Sequence, residues 1–124
     1  MSATRILFVD DDAELREIVI SQLTGTGYSV DEAEDGIVAI EKLEKENFDL
    51  VLLDIKMPGK TGLDVLQHIK DRSLSCRVIM LTGVVGMGTA IESLSMGADD
   101  YLTKPYKLEQ LLSSIKRVMQ DEGA

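Results

Sequence analysis

Apolar residues along this chain fall into two kinds of pattern. Ile6 to Val9, Leu50 to Leu53 and Val78 to Leu81 are unbroken apolar runs. Runs of that length without polar alternation predict strands buried on both faces, as in a parallel sheet covered by helices. Tyr28 to Glu32, centred on Val30, and Asp99 to Thr103 predict two weaker strands. Between the strands the apolar positions take helical spacing. Leu15, Ile18, Val19 and Leu23 mark a first helix, stopped by Gly25 and Gly27. Gly36 opens a second with Ile37, Ile40 and Leu43, and a third runs from about Thr61 to Lys70 with Leu63, Leu66 and Ile69 inward. Ile91 and Leu94 mark a short fourth that stops at Gly97. Leu108, Leu111, Leu112, Ile115 and Met119 mark an amphipathic fifth.

Strand and helix alternate five times with short connections. That alternation predicts an α/β domain: a five-stranded parallel sheet with helices on both faces, in the flavodoxin-like order 2-1-3-4-5. Polar residues stand where the strands end. The first run closes on Asp10, Asp11 and Asp12, the central one on Asp54 before a turn at Pro58-Gly59, the next on Thr82-Gly83, and the last on Lys104-Pro105. The carboxyl ends of such strands form the crevice where α/β sheets bind their ligands. A carboxylate is seldom left in a core without a partner, so Asp54 is expected at that rim with the other groups around it.

The chain has 124 residues, which fits one domain spanning 1–124. It either stands alone or is the N-terminal piece of a longer regulator, with a frayed end or linker from Gln120. Its 22 acidic and 13 basic residues give a net charge of -9, which argues against direct nucleic-acid binding and suits cations or a basic partner surface. The one cysteine, Cys76, excludes an internal disulfide framework and fits a reducing compartment. Met1 to Thr4 lead straight into a strand-like run with no signal-peptide pattern, and no apolar run approaches membrane-spanning length. A cytoplasmic location is expected.

Several carboxylates in one crevice repel each other unless protonated or bridged by a cation. A hard divalent ion with oxygen ligands answers this; Mg²⁺ is the expected cofactor, with Mn²⁺ as a substitute. A magnesium ion held by few carboxylates keeps positions open for phosphate oxygens. Lys104 adds a positive charge for the same phosphate, and Thr82 a hydroxyl donor. Asp54 is then placed to act as a nucleophile and form an acyl phosphate.

At this point the chain resembles the response-regulator receiver domain of bacterial two-component signalling. The likeness is carried by ILFVDDD (Ile6 to Asp12), LVLLDIKMPGKTG (Leu50 to Gly62), VIMLTG (Val78 to Gly83) and GADDYLTKPY (Gly97 to Tyr106), in order along nearly the whole chain. The resemblance implies a phosphorylation-activated switch, with Asp54 taking a phosphoryl group from a phosphohistidine on a sensor histidine kinase or phosphotransfer protein. It implies Mg²⁺ held by Asp11, Asp54 and the backbone carbonyl of Lys56, with Asp10 acting through water. It implies that Lys104 and Thr82 contact the phosphoryl oxygens, that Tyr101 swings inward with Thr82, and that the Lys104-Pro105 peptide is cis. Turnover of an external substrate is not expected.

Plainer roles stand beside these. Asp12 reads as a helix cap, His68 as a surface histidine, Cys76 as structural and the methionines as core filler. Gly83 to Gly88 is no phosphate loop, because no GK[ST] follows; its glycines suit loop motion. An aspartyl-nucleophile phosphatase would carry an acid-base aspartate two residues past Asp54, where this chain has Lys56. A flavin module would need phosphate donors where this chain has three aspartates, and a phosphorylation-independent interaction module would not need the full set at the rim. Lys56 and Val84 occupy the positions that hold an attacking water in short-lived receivers, so a long-lived acyl phosphate is expected. The fourth-helix region (Met87 to Met96) has no Lys or Arg, and Ser114 stands where receivers that dimerise to drive winged-helix domains carry an arginine. Those features weaken that dimer mode, and the run from Thr82 to Pro105 leans towards the nitrogen-regulator type.

Overall fold

The computed structural model describes residues 3–57, 59–83 and 87–120. Its elements are β1 (Arg5–Val9), α1 (Ala13–Gly25), β2 (Ser29–Ala33), α2 (Gly36–Lys45), β3 (Leu50–Asp54), α3 (Gly62–Asp71), β4 (Arg77–Thr82), α4 (Met87–Ser95), β5 (Asp100–Thr103) and α5 (Leu108–Gln120). The strands form one sheet in the order β2-β1-β3-β4-β5, and every pairing is parallel. Both features agree with the expectation from the alternating pattern. Pro58, Val84 and the residues after Gln120, each given a part above, lie outside the described residues.

Two buried layers explain why the central strands lack polar alternation. Leu7, Val9, Val51, Leu53, Val78 and Met80 pack with Ala39 and Leu43 of α2 and Val65, Leu66 and Ile69 of α3. Ile6, Phe8, Leu50, Leu52, Ile79 and Leu81 point to the other face, against Val19 and Leu23 of α1 and Leu111, Ile115 and Val118 of α5. Successive residues of a strand face opposite ways, so a strand with helices on both sides must be apolar throughout. Each leucine so buried contributes about 1.5–3 kcal/mol relative to exposure.

The element ends differ from the expected ones for local reasons. Tyr28 does not open β2, because its N–H donates to the Leu23 carbonyl at 3.2 Å and finishes the turn after α1. The ladder starts one residue later, where the Ser29 N–H reaches the Thr4 carbonyl at 3.0 Å. Thr61 is the N-cap of α3 rather than part of it, and exchanges hydrogen bonds with Asp64 in a capping box. Asp99 stays outside β5 and braces β4, its carboxylate accepting from the Val78 N–H at 2.8 Å. In α4, Ile91 and Leu94 do not form the inward face: Ile91 is 60% exposed, and among the residues of the helix whose burial is described Ser93 is the buried one. Ile18 and Ile37 also face outward.

Candidate functional site

The parallel sheet brings the predicted polar residues to one rim. Asp10 follows β1, Asp54 ends β3, Thr82 ends β4 and Lys104 follows β5. Register sets their depth: Val9 lies beside Leu53, Asp54 beside Leu81, and Thr82 beside Thr103. Asp10 is 0% exposed and Asp54 5% exposed. Asp11 is exposed at the same rim, and one carboxylate oxygen from each of Asp10, Asp11 and Asp54 lies within 4.8 Å of the others. Among the described residues no second cluster of this kind occurs.

Lys104 crosses this cluster. Its Nζ donates to Asp10 Oδ2 at 2.7 Å and lies 3.4 Å from Asp54 Oδ2. Its backbone N–H donates to the Thr82 carbonyl at 2.6 Å, which ties the ends of β4 and β5 together. The Lys104-Pro105 peptide is cis, as the resemblance implied. Asp12 caps α1, its carboxylate accepting from the Leu15 N–H at 3.2 Å, while its own N–H donates to Asp10 Oδ1 at 2.9 Å. Asp10 and Asp54 thus share one ammonium, Asp11 lies beside them, and the metal donors on offer are all hard oxygens. That set fits a small divalent cation.

The electrostatics follow from this crowding. Burial is the first cause that pushes the Asp54 carboxyl above the usual carboxylate range, and the charge of Asp10 adds to it; Lys104 opposes both. Burial would lower Lys104, but its hydrogen bond and attraction to Asp10, with help from Asp54, outweigh that and hold it above the ordinary lysine value. Asp54 is therefore a carboxylate under repulsion, which an added cation relieves.

The other expected site residues take different positions. Thr82 is buried beside Thr103. Tyr101 lies on β5 opposite Met80, half-buried against the layer of α2 and α3. Lys56 is exposed after β3 and lines an open groove with Asp11, Met57, Thr61 and Leu63. Val84 lies outside the described residues. His68 is not a bare surface residue, because its Nε2 lies 2.9 Å from Glu44 on α2. Cys76 is half-buried, and its thiol is pushed up to about 11, chiefly by burial. That agrees with a structural role.

Three site residues escaped the sequence reading. Gly62 opens α3 against the strand end: a Cβ there would stand 2.2 Å from the Asp54 carbonyl oxygen. Arg16 of α1 donates from Nη1 to the Asp10 carbonyl at 2.7 Å. Tyr106 places a buried hydroxyl near the rim; burial first, then the charges of Asp10 and Asp54, push its pKa far above the ordinary tyrosine value. The only sequence signal for Arg16 was its place one turn into the helix behind the aspartates, a position that many solvated arginines also occupy.

Comparison with known proteins agrees with this geometry. The family model described as response regulator receiver domain matches residues 6–116. Response regulator MprA of Mycobacterium leprae (strain TN) is 37% identical over 116 residues, covering 94% of this chain and 51% of the relative. Transcriptional regulatory protein ResD of Bacillus subtilis (strain 168) is 35% identical, covering 94% and 48%. The chain thus spans about half the length of the curated relatives it matches. Among solved structures, a CheY-like receiver domain protein of Methanospirillum hungatei superposes with a TM-score of 0.91 at 35% identity, covering 98% of this chain and 97% of that one. Response regulator TrrA of Thermotoga maritima, solved in complex with Mg(2+)-BeF, superposes with a TM-score of 0.84 at 36% identity, covering 93% and 98%. The present chain belongs to the response regulator receiver domain family, the phosphorylation-activated switches of two-component signalling.

Proposed function

We propose that Asp54 is the phosphoryl acceptor of this switch. The observation that carries the reading is a carboxylate buried at the end of the central strand, 3.4 Å from Lys104 and clustered with Asp10 and Asp11. The donor is a phosphohistidine on a sensor kinase or phosphotransfer protein. An Asp54 oxygen attacks phosphorus in line, the P–N bond breaks with its electron pair going to the imidazole, and an acyl phosphate remains. Lys104 turns from Asp10 towards the transferred oxygens, and the Thr82 hydroxyl donates to another. Tyr101 follows Thr82 inward and reshapes the face of α4, β5 and α5, where Ile91 and Leu94 are exposed. Asp11, Asp54 and the Lys56 carbonyl would hold Mg²⁺, with Asp10 acting through water, and the bound ion would supply charge neutralisation for the phosphoryl oxygens. The TrrA complex named above supports the choice of metal.

The groove beside Lys104 suits an incoming partner. It has a volume of about 470 Å³ and is lined by Leu15, Ile18, Pro105 and Tyr106, among others. Lys56, two residues past Asp54, offers no carboxylic acid for turnover of free phosphate esters, so the reaction stops at transfer and slow hydrolysis.

Intact-mass spectrometry with acetyl phosphate and Mg²⁺ tests this reading. The wild-type protein should gain one phosphoryl group, and Asp54→Asn none. Stoichiometric labelling of Asp54→Asn at another residue would sink the assignment.

A further inference from the structure

Arg16 is a part-buried cation for which the phosphotransfer reading has no use. Its side chain is 15% exposed. Nη1 donates to the Asp10 carbonyl at 2.7 Å, and Nε to Glu32 Oε1 of β2 at 2.8 Å. Glu32 is itself braced, since its carbonyl accepts from Lys42 Nζ of α2 at 2.6 Å. The guanidinium thus bridges α1, β1 and β2 from beside the rim.

The Asp10 carbonyl lies just past β1, where the ladder ends. A buried carbonyl needs a donor, and Arg16 supplies it. Because the peptide unit is planar, holding that oxygen also sets the direction of the Asp11 N–H and Cα. The Asp11 side chain makes no hydrogen bond among the described residues, so its placement depends on its backbone. Asp10, by contrast, is held by Lys104 and by the Asp12 N–H. A lysine at position 16 cannot replace the fork, because one ammonium lacks the planar pair of donors that meets both acceptors.

We propose that Arg16 is a positioning residue that orients Asp11 for divalent-metal binding through the Asp10–Asp11 peptide. The inference rests on the Mg²⁺ reading above. Its test is MgCl₂ titration followed by amide chemical shifts, with urea unfolding measured in parallel, on wild type, Arg16→Ala, Arg16→Lys and Arg5→Met. Arg16→Ala should weaken Mg²⁺ binding about tenfold, the lower end for a residue that orients a metal ligand. Arg16→Lys keeps the charge and stem and should weaken it about threefold with most stability retained; it decides alone if Arg16→Ala does not fold. Arg5→Met loses a brace at the opposite end of β1 from the rim, where Nη1 donates to the Asn47 carbonyl at 2.9 Å, and should lower the urea midpoint while leaving the affinity within about twofold. Wild-type affinity in both Arg16 variants, or an equal loss in Arg5→Met, would overturn the proposal. Absence of Mg²⁺ binding by the wild type would overturn the metal reading and this inference with it.

Discussion

Asp54 is in conflict with the fold that holds it. At neutral pH its charge sits almost out of water, beside Asp10, with partial relief from Lys104. Its folded pKa is raised, so the native state binds the proton more tightly than the unfolded chain. Stability therefore falls as pH rises from the ordinary aspartate value through the raised one. Asp31 acts with the opposite sign: burial raises it, but the Lys42 hydrogen bond and charge leave it lowered. Its contribution is present above the ordinary value and lost as pH falls through the lowered one. In EDTA at pH 7, Asp54→Asn is expected to raise the urea midpoint, and the gap to wild type should narrow as the pH drops into the ordinary carboxylate range. A lower midpoint for the variant would mean that attraction to Lys104 outweighs burial and repulsion together.

The elements meet at the site through their ends. Asp12 starts α1 with its side chain and donates its N–H to Asp10, so one residue begins a helix and orients an acid. Gly62 starts α3 pressed onto the end of β3, with its N–H donating to the Ile55 carbonyl at 3.0 Å. Backbone, not a flexible side chain, faces the missing Cβ there, so neither side can yield cheaply. Gly62→Ala should cost about 3 kcal/mol, the upper range for an overpacked site. It should also slow labelling by acetyl phosphate, because the shift falls on Asp54. A denaturation midpoint and a labelling rate both like wild type would show that α3 slides away freely.

Across the whole molecule, the rim joins two halves with different ties. Arg16 donates to Asp10 and to Glu32, and Lys42 donates to Glu32, which braces the β2–α1–α2 side to Asp10. On the other side Thr82 ends β4, Tyr101 lies on β5 and Lys104 follows it, and α4 packs on β5 with Ile91 and Leu94 exposed. A single modification can tip a switch only if its two states lie within a few kcal/mol. Amide shifts on phosphorylation with acetyl phosphate should therefore spread from Thr82 through Tyr101 to Leu94, and stay small at Val30 and Leu43. Shifts confined to the loops of Asp10, Asp54 and Lys56 would count against a switch of that face.

Read alone, the chain determined its layers, strand order and acidic rim. Unbroken apolar runs have one good home, a strand with helices on both faces, and a polar residue after such a run marks where the sheet meets water. Asp10, Asp11, Asp54, Thr82 and Lys104 were legible for that reason. Side-chain direction on the short helices was not. Ile91 and Leu94 have the spacing of a buried stripe, yet α4 turns that stripe outward and buries Ser93. Periodicity defines a face but does not say what lies opposite it. Gly62 and Arg16 were silent for a related reason. Their importance is a close approach to the backbone of residues 54 and 10, and backbone is the same at every position of a sequence. Only the packing of α3 and α1 onto the sheet decided which peptide each would meet.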